Sequence, residues 1–401
     1  MAIAEQIKNA LASSSMIRKM FEEGILLKKQ YGADKVFDFS LGNPDVDPPP
    51  AFHEMFVKLA QEDEKGSHGY MPNAGFPFVR EALAKKVKKE QNVDIDGSCL
   101  VMSAGAAGGL NAVFKTICNP GDEVIVTRPF FMEYRVYTSN HAAKLIEVDS
   151  LDNFDLDIKA IGNALNEKTA AVIINSPNNP TGKIYSASLL ANLADLLNDH
   201  GKKTGRFPYL VSDEPYREIA YTGEVPPVLS CYKESIVVSS YSKSLSLPGE
   251  RIGFIAVNPE ISCKDDVLNG LIYTTRILGF VNAPALMQRI VALLTEESVD
   301  VSIYARRRDA FMKVLNEAGI EYIIPEGAFY MFCKTPARKL GMNNDSVADD
   351  RAFVEHLKKF LILGVPGSGF GKPGWLRFAY CVDEKIISAS GAAFKQAMES
   401  W

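Results

Sequence analysis

SIVVSSYSKSLSLPGERIGFIAV, residues 235–257, sets two runs rich in Val and Ile around a serine-dense connector that carries Lys243 and Arg251. Both runs read as buried strands, because apolar β-branched residues fill them with little polar alternation. Only seven residues, 244–250, separate Lys243 from the second run. A parallel crossover takes a dozen residues or more, so the second strand runs antiparallel to the first, and Lys243 and Arg251 meet at one end of the sheet. An ammonium is costly to bury. A lysine between two core strands therefore needs an acidic partner, for which Glu250 is a candidate, or a chemical task.

Working back toward the N-terminus, the runs CLVMSA, EVIVTR, KLIEVD, AAVIINS and YLVSDE precede this pair, with helix-like stretches such as GGLNAVFKTI and SASLLANLADLLNDHG between several of them. Continuous apolar strands alternating with helices predict an α/β fold: a mostly parallel, seven-stranded sheet covered by helices on both faces. Residues 1–30 read as an amphipathic helix, and VFDFSLGNPDVDPPP as an extended crossing. After a helical region near 284–318, the segments YIIPEGAFYMF, LILGVPGSGF and WLRFAYC suggest a smaller α+β unit. The expected division is a large domain over 46–285 and a small one built from 1–45 and 286–401, closing over the site.

Composition narrows the function. The 401 residues are 47% apolar and 23% charged with a net charge of −5, and no long basic run is present, which disfavours nucleic-acid and anionic-membrane partners. No run of about 18 apolar residues suggests a membrane span. Six scattered cysteines without a CxxC pair read as reduced thiols of a cytoplasmic protein, and five dispersed histidines give no metal site. The start of the chain resembles neither a secretory nor a transit peptide.

Open α/β sheets bind ligands at the carboxyl ends of their strands. There, AGAAGGLNAVF opens a helix with a small-residue turn, making Gly105, Ala106 and Ala107 candidates to cradle a phosphate. INSPNNPTGKIY places Asn179 in a rigid polar turn. YLVSDEPYREI ends a buried strand in Asp213, which is either a helix N-cap ahead of Pro215 or the counter-ion of a protonated ring, and Tyr216 follows three residues later. Ser240 and Arg251 would bind an anion while Lys243, its amine partly desolvated, acts as a nucleophile able to form a Schiff base. A phosphate cradle, a carboxylate, an amide, a phenol and an amine together suit one ligand, pyridoxal 5′-phosphate.

These residues resemble the fold-type I pyridoxal-phosphate aminotransferases, in the group that contains the aspartate and aromatic aminotransferases. Their lysine signature is Ser or Gly, two residues, Lys, then Arg eight beyond and a small residue two further on. Ser240, Lys243, Arg251 and Gly253 fit it. The resemblance runs in order from SLGNPD at 40–45 to WLRFAYC at 375–381.

The resemblance implies that Lys243 carries the cofactor and then acts as general base. It implies that Asp213 keeps the pyridine nitrogen protonated, and that Tyr216 and Asn179 bond the phenolate oxygen. Ser240, Arg251 and the 105–107 backbone would take the phosphate, and Phe131 of RPFFMEY would stack on the ring. Tyr70 would reach the phosphate of a neighbouring subunit in a homodimer with shared sites. Arg377 would grip the substrate carboxylate, Gly42 would supply backbone over the substrate, and Arg276 lies near where relatives present a second cation for a dicarboxylate. The chain departs from the family in its Gly-Ala-Ala turn, which lacks a hydroxyl, and in Phe131, where Tyr or Trp is commoner. The implied activity moves the amino group of an L-amino acid, either aspartate or a neutral or aromatic one, to a 2-oxo acid. A C–S β-lyase is the alternative on the same fold.

Overall fold

A computed structural model describes residues 3–5, 7–8, 16–338 and 348–401. Its largest sheet has seven strands: β1 (Leu100–Ser103), β2 (Glu123–Arg128), β3 (Lys144–Asp149), β4 (Thr169–Asn175), β5 (Tyr209–Asp213), β6 (Ser235–Ser240) and β7 (Gly253–Val257). They lie in the order β1-β7-β6-β5-β4-β2-β3. Strands β2 to β6 pair in parallel, and β7 runs antiparallel to both of its neighbours. The short connector therefore reverses the chain as its length requires.

Burial explains the strand composition. Every residue of β4 is buried, as befits a strand covered on both faces, so Ala, Val and Ile replace the alternation of a half-exposed strand. One apolar cluster on the sheet gathers Leu83, Val172, Leu193, Val237 and Ile290. A second gathers Val113, Phe114, Val124, Ile173 and Ile255 on the other face.

A smaller antiparallel sheet holds β8 (Tyr322–Ile323), β9 (Tyr330–Lys334), β10 (Val365–Pro366) and β11 (Trp375–Ala379), in the order β10-β11-β9-β8. The N-terminal segment joins it. Phe37–Asp38 pairs in parallel with Ile362–Leu363, and Phe39 accepts a main-chain hydrogen bond from Ala379 at 2.7 Å. Phe39 packs against Phe311 with ring centroids 4.9 Å apart, and Phe378 and Phe394 complete the aromatic group. This lays residues 40–42 along the small sheet, facing the carboxyl ends of the large one.

The expected N-terminal helix is Met16–Tyr31, and most of the residues before it lie outside those described. The extended crossing ends where Pro50 opens the helix Pro50–Gln61, a position where its missing N–H is harmless. No helix follows Asp213. Residues 215–218 form turns, which removes the N-cap explanation for its carboxylate.

Candidate active site

A cleft of about 260 Å³ opens at the carboxyl ends of the large sheet, roofed by the 40–42 segment and by β9 and β11. Gly42, Ala106, Ala107, Phe131, Asn179, Asp213, Tyr216, Ser240, Lys243, Arg251 and Arg377 all line it. Gly105 borders it beside Arg251. Two expected residues lie elsewhere on this chain: Tyr70 is 95% exposed, and the exposed Arg276 rests over Tyr273, 5.3 Å from its ring centre.

Lys243 sits in the single-turn helix Tyr241–Ser244 that follows β6. Its Nζ donates to the Gly42 carbonyl at 2.8 Å and lies 5.4 Å from the centre of the Phe329 ring. No carboxylate pairs with it among the described residues, and Glu250 faces solvent. Burial pushes its pKa down to about 8; the nearby Cys381 thiol opposes this, while Arg377 and Arg251 add to it. The amine is thus close to its nucleophilic, neutral form near physiological pH.

Asp213 closes β5 and is 5% exposed. The Tyr134 hydroxyl donates to its Oδ2 at 2.6 Å, and Asn175 Nδ2 donates to its main-chain oxygen at 2.8 Å. Its Oδ1 is buried and has no partner. Burial raises the carboxyl to about 7, the Tyr134 hydrogen bond opposes that rise, and the Glu214 charge adds to it. A buried acceptor left open in a cleft wall suits a cationic N–H donor.

Arg377, central in β11, is 1% exposed. Its Nη1 donates to Asn179 Oδ1 at 3.0 Å and its Nη2 to the Ser40 carbonyl at 2.6 Å, while Nε has no partner. Aromatic faces sandwich it, with ring centres of Tyr330 and Phe370 at 4.5 and 4.9 Å. No acid pairs with it among the described residues, so no internal ion pair there accounts for its burial. A buried guanidinium without a counter-charge is unfavourable, and its open Nε faces no internal acceptor among the described residues.

The opposite end of the cleft suits an anion. Gly105 starts the helix Gly105–Ile117 with φ +68°, and a Cβ there would stand 2.7 Å from Arg251 Nη2. The absent side chain brings backbone N–H groups at a helix N-terminus beside a guanidinium. Gly253 is equally constrained, since a Cβ would come 2.5 Å from the Ser239 carbonyl. The small residue two after Arg251 therefore has a steric reason. Ser240, 5% exposed, stands at the same end.

Sequence reasoning missed four contributors. Tyr134 and Tyr137 come from the helix Glu133–Ser139; their spacing of three, just after the quoted Phe131, is the signal that could have found them. Asn175 anchors two loops, since its Oδ1 accepts the Asn179 N–H at 2.7 Å. Tyr330 shares a 2.6 Å hydrogen bond between hydroxyls with Tyr216. A Cβ at Gly42 would land on the Tyr330 phenol oxygen, so glycine there is a packing requirement.

Comparison with known proteins agrees with this geometry. The sequence matches the family described as aminotransferase class I and II over residues 34–389. The probable aspartate/prephenate aminotransferase of Aquifex aeolicus is 32% identical over 380 residues, 91% of each chain. The aspartate aminotransferase of Thermotoga maritima is 30% identical, again over 91% of each chain. Among solved structures, an amino transferase from Eubacterium rectale superposes with a TM-score of 0.93 at 35% identity, covering 100% of this chain and 99% of that one. Aspartate aminotransferase from Thermus thermophilus with maleate gives 0.86 at 25% identity, covering 99% and 100%. A seven-stranded mixed sheet, a lysine without an acidic partner at its carboxyl end and a family match over most of the chain lead to one assignment: this protein belongs to the class I and II aminotransferases.

Proposed function

We propose that the cleft binds pyridoxal 5′-phosphate and that the enzyme moves the amino group of an L-amino acid, aspartate foremost, to a 2-oxo acid. The observation that carries this reading is Lys243, without an acidic partner among the described residues, in the same cleft as the open Oδ1 of Asp213. The residues present fit the cofactor at each end. Lys243 would hold it at the aldehyde carbon, Asp213 at the ring nitrogen, Tyr216 and Asn179 at the phenolate oxygen, and Phe131 on the ring face. Ser240, Arg251 and the 105–107 backbone would take the phosphate. The relatives named as aspartate aminotransferases favour aspartate as donor.

When bound, the cofactor supplies an electron sink for the α-carbon. The chain does the rest. Arg377 fixes the substrate α-carboxylate, with Gly42 overhead, and so sets which α-carbon bond faces the lysine. The Lys243 amine, held near pKa 8, would take the α-proton and carry it past the amino nitrogen to the carbon on its other side. Asp213 keeps a proton on the ring nitrogen, and its burial makes that interaction strong.

In this reading residues 46–285 carry the cofactor, and 1–45 with 286–401, the unit bearing Arg377, close over it and exclude water. Tyr70 and Arg276 act across the interface of a homodimer, with Tyr70 on the partner's phosphate and Arg276 toward a dicarboxylate side chain. A cytoplasmic location accompanies this reading; no described helix is long and apolar enough to cross a membrane.

The test is to load the purified protein with pyridoxal phosphate and add L-aspartate, an aromatic amino acid and a cysteine conjugate separately. Stoichiometric oxo acid and pyridoxamine phosphate are expected. Ammonia and pyruvate from the conjugate, with no acceptor required, would make it a lyase, and failure to bind the cofactor would overturn the reading altogether.

A further inference from the structure

Tyr134 has no place in the cofactor contacts above, yet among the described residues it is the one side chain that bonds the Asp213 carboxylate. It is 1% exposed, so its hydroxyl is shut off from bulk solvent. Its ring stands edge-on to Phe131, with centroids 5.6 Å apart and planes at 84°, and stacks on Phe130 at 6.4 Å and 11°. Arg135 lies over Phe130, 4.9 Å from its centre. Thr138 Oγ1 closes on the Tyr134 carbonyl at 2.9 Å. The ring is therefore packed between a stacked and an edge-on aromatic neighbour, which limits its freedom to turn from Asp213.

We propose that Tyr134 is a positioning residue for the ring-nitrogen end of the cofactor: it assigns Oδ2 of Asp213 to itself, leaves Oδ1 to the ligand, and through Phe131 braces the aromatic wall that would cover the ring. This rests on the cofactor reading above. The physical reason is the asymmetry of the carboxylate. With Oδ2 accepting from Tyr134 at 2.6 Å, ionised Asp213 keeps one strong hydrogen bond in a buried site. Without it, both oxygens face low dielectric and the group holds its proton to higher pH. A protonated carboxyl offers a donor where the ligand needs an acceptor. The other ionisable groups that bear on Asp213 are Glu214, which adds to the effect, and Tyr137 and Tyr216, both neutral phenols.

The test is Tyr134→Phe, which keeps the ring contacts and removes only the hydroxyl. Titrating apoenzyme with pyridoxal phosphate by absorbance should show affinity lower by roughly 10-fold. The acid limb of the kcat profile should move up by about one pH unit, with KM for the amino acid little changed. A 3-fluorotyrosine placed at 134 alone, a stronger donor, should move both readouts the opposite way. In an Asp213→Asn background, Tyr134→Phe should add little to the loss of cofactor affinity. Wild-type affinity and pH profile in Tyr134→Phe, or equal losses with and without Asp213, would overturn the proposal. Wild-type protein that binds no pyridoxal phosphate would instead sink the cofactor reading.

Discussion

Arg377 Nη1 donates to Asn179 Oδ1 at 3.0 Å. The bond sets the Asn179 amide with its oxygen toward Arg377, whose other terminal nitrogen donates to the Ser40 carbonyl at 2.6 Å. The expected substrate clamp and an expected cofactor contact are thus one rigid unit. Arg377→Lys replaces a planar fork with a point charge that cannot keep both bonds. Steady-state kinetics should show KM for the amino acid raised by roughly 10²–10³-fold, with cofactor affinity altered far less.

Lys243→Ala should leave a protein that binds pyridoxal phosphate without a covalent link, so borohydride no longer fixes the cofactor. Turnover should fall by at least roughly 10⁴-fold, since general-base catalysis alone contributes up to about that factor. Turnover within tenfold of wild type would remove Lys243 from its assigned role.

The Lys243 amine, pushed down to about 8 by burial, sets a pH dependence for cofactor capture. The neutral amine is about 10% of the total at pH 7 and about 90% at pH 9 for such a group. Stopped-flow rates for apoenzyme with pyridoxal phosphate should climb between pH 6 and 8 and level near pH 9. An unshifted lysine would keep climbing past pH 10.

Asp213 carries the opposite shift. Its folded pKa is raised to about 7 by burial, above its unfolded value, so the ionised carboxylate costs stability. That penalty is absent below the unfolded value, grows as pH rises between about 4 and 7, and is complete above 7. Asp213→Asn should raise the Tm of the cofactor-free protein at pH 8 by roughly 2–4 °C and leave it unchanged at pH 4. The same variant should bind cofactor more weakly. Differential scanning fluorimetry at the two pH values checks the sign.

Most of the residues that sequence reading located share one property: they lie in short motifs at the ends of strands, with Arg377, in the middle of β11, the exception. The 235–257 stretch defines its antiparallel turn by loop length alone, and Asp213, Asn179 and Gly105 follow apolar runs that end at the same side of the sheet. Tyr330 and Tyr134 escaped because their partners are distant in sequence. Tyr330 reaches Tyr216 114 positions away, and Tyr134 reaches Asp213 79 positions away. Nothing local distinguishes such a phenol from a packing aromatic. The N-cap option for Asp213 persisted for the same kind of reason, since Pro215 starts a turn as readily as a helix. Tyr70 and Arg276 stand out by likeness alone, and neither lines the cleft.

Ser40 and Gly42 offer main-chain oxygens to Arg377 and Lys243. Every amino acid possesses that oxygen, so neither acceptor is erased by exchanging the side chain at its own position, although the buried Ser40 hydroxyl also donates to Asp38 Oδ1 at 2.6 Å. Gly42 is the exception, because a single added methyl collides with Tyr330 and forces the strap onto another path. The strap therefore anchors both cations by the route of its chain, and that route depends on steric room at Gly42.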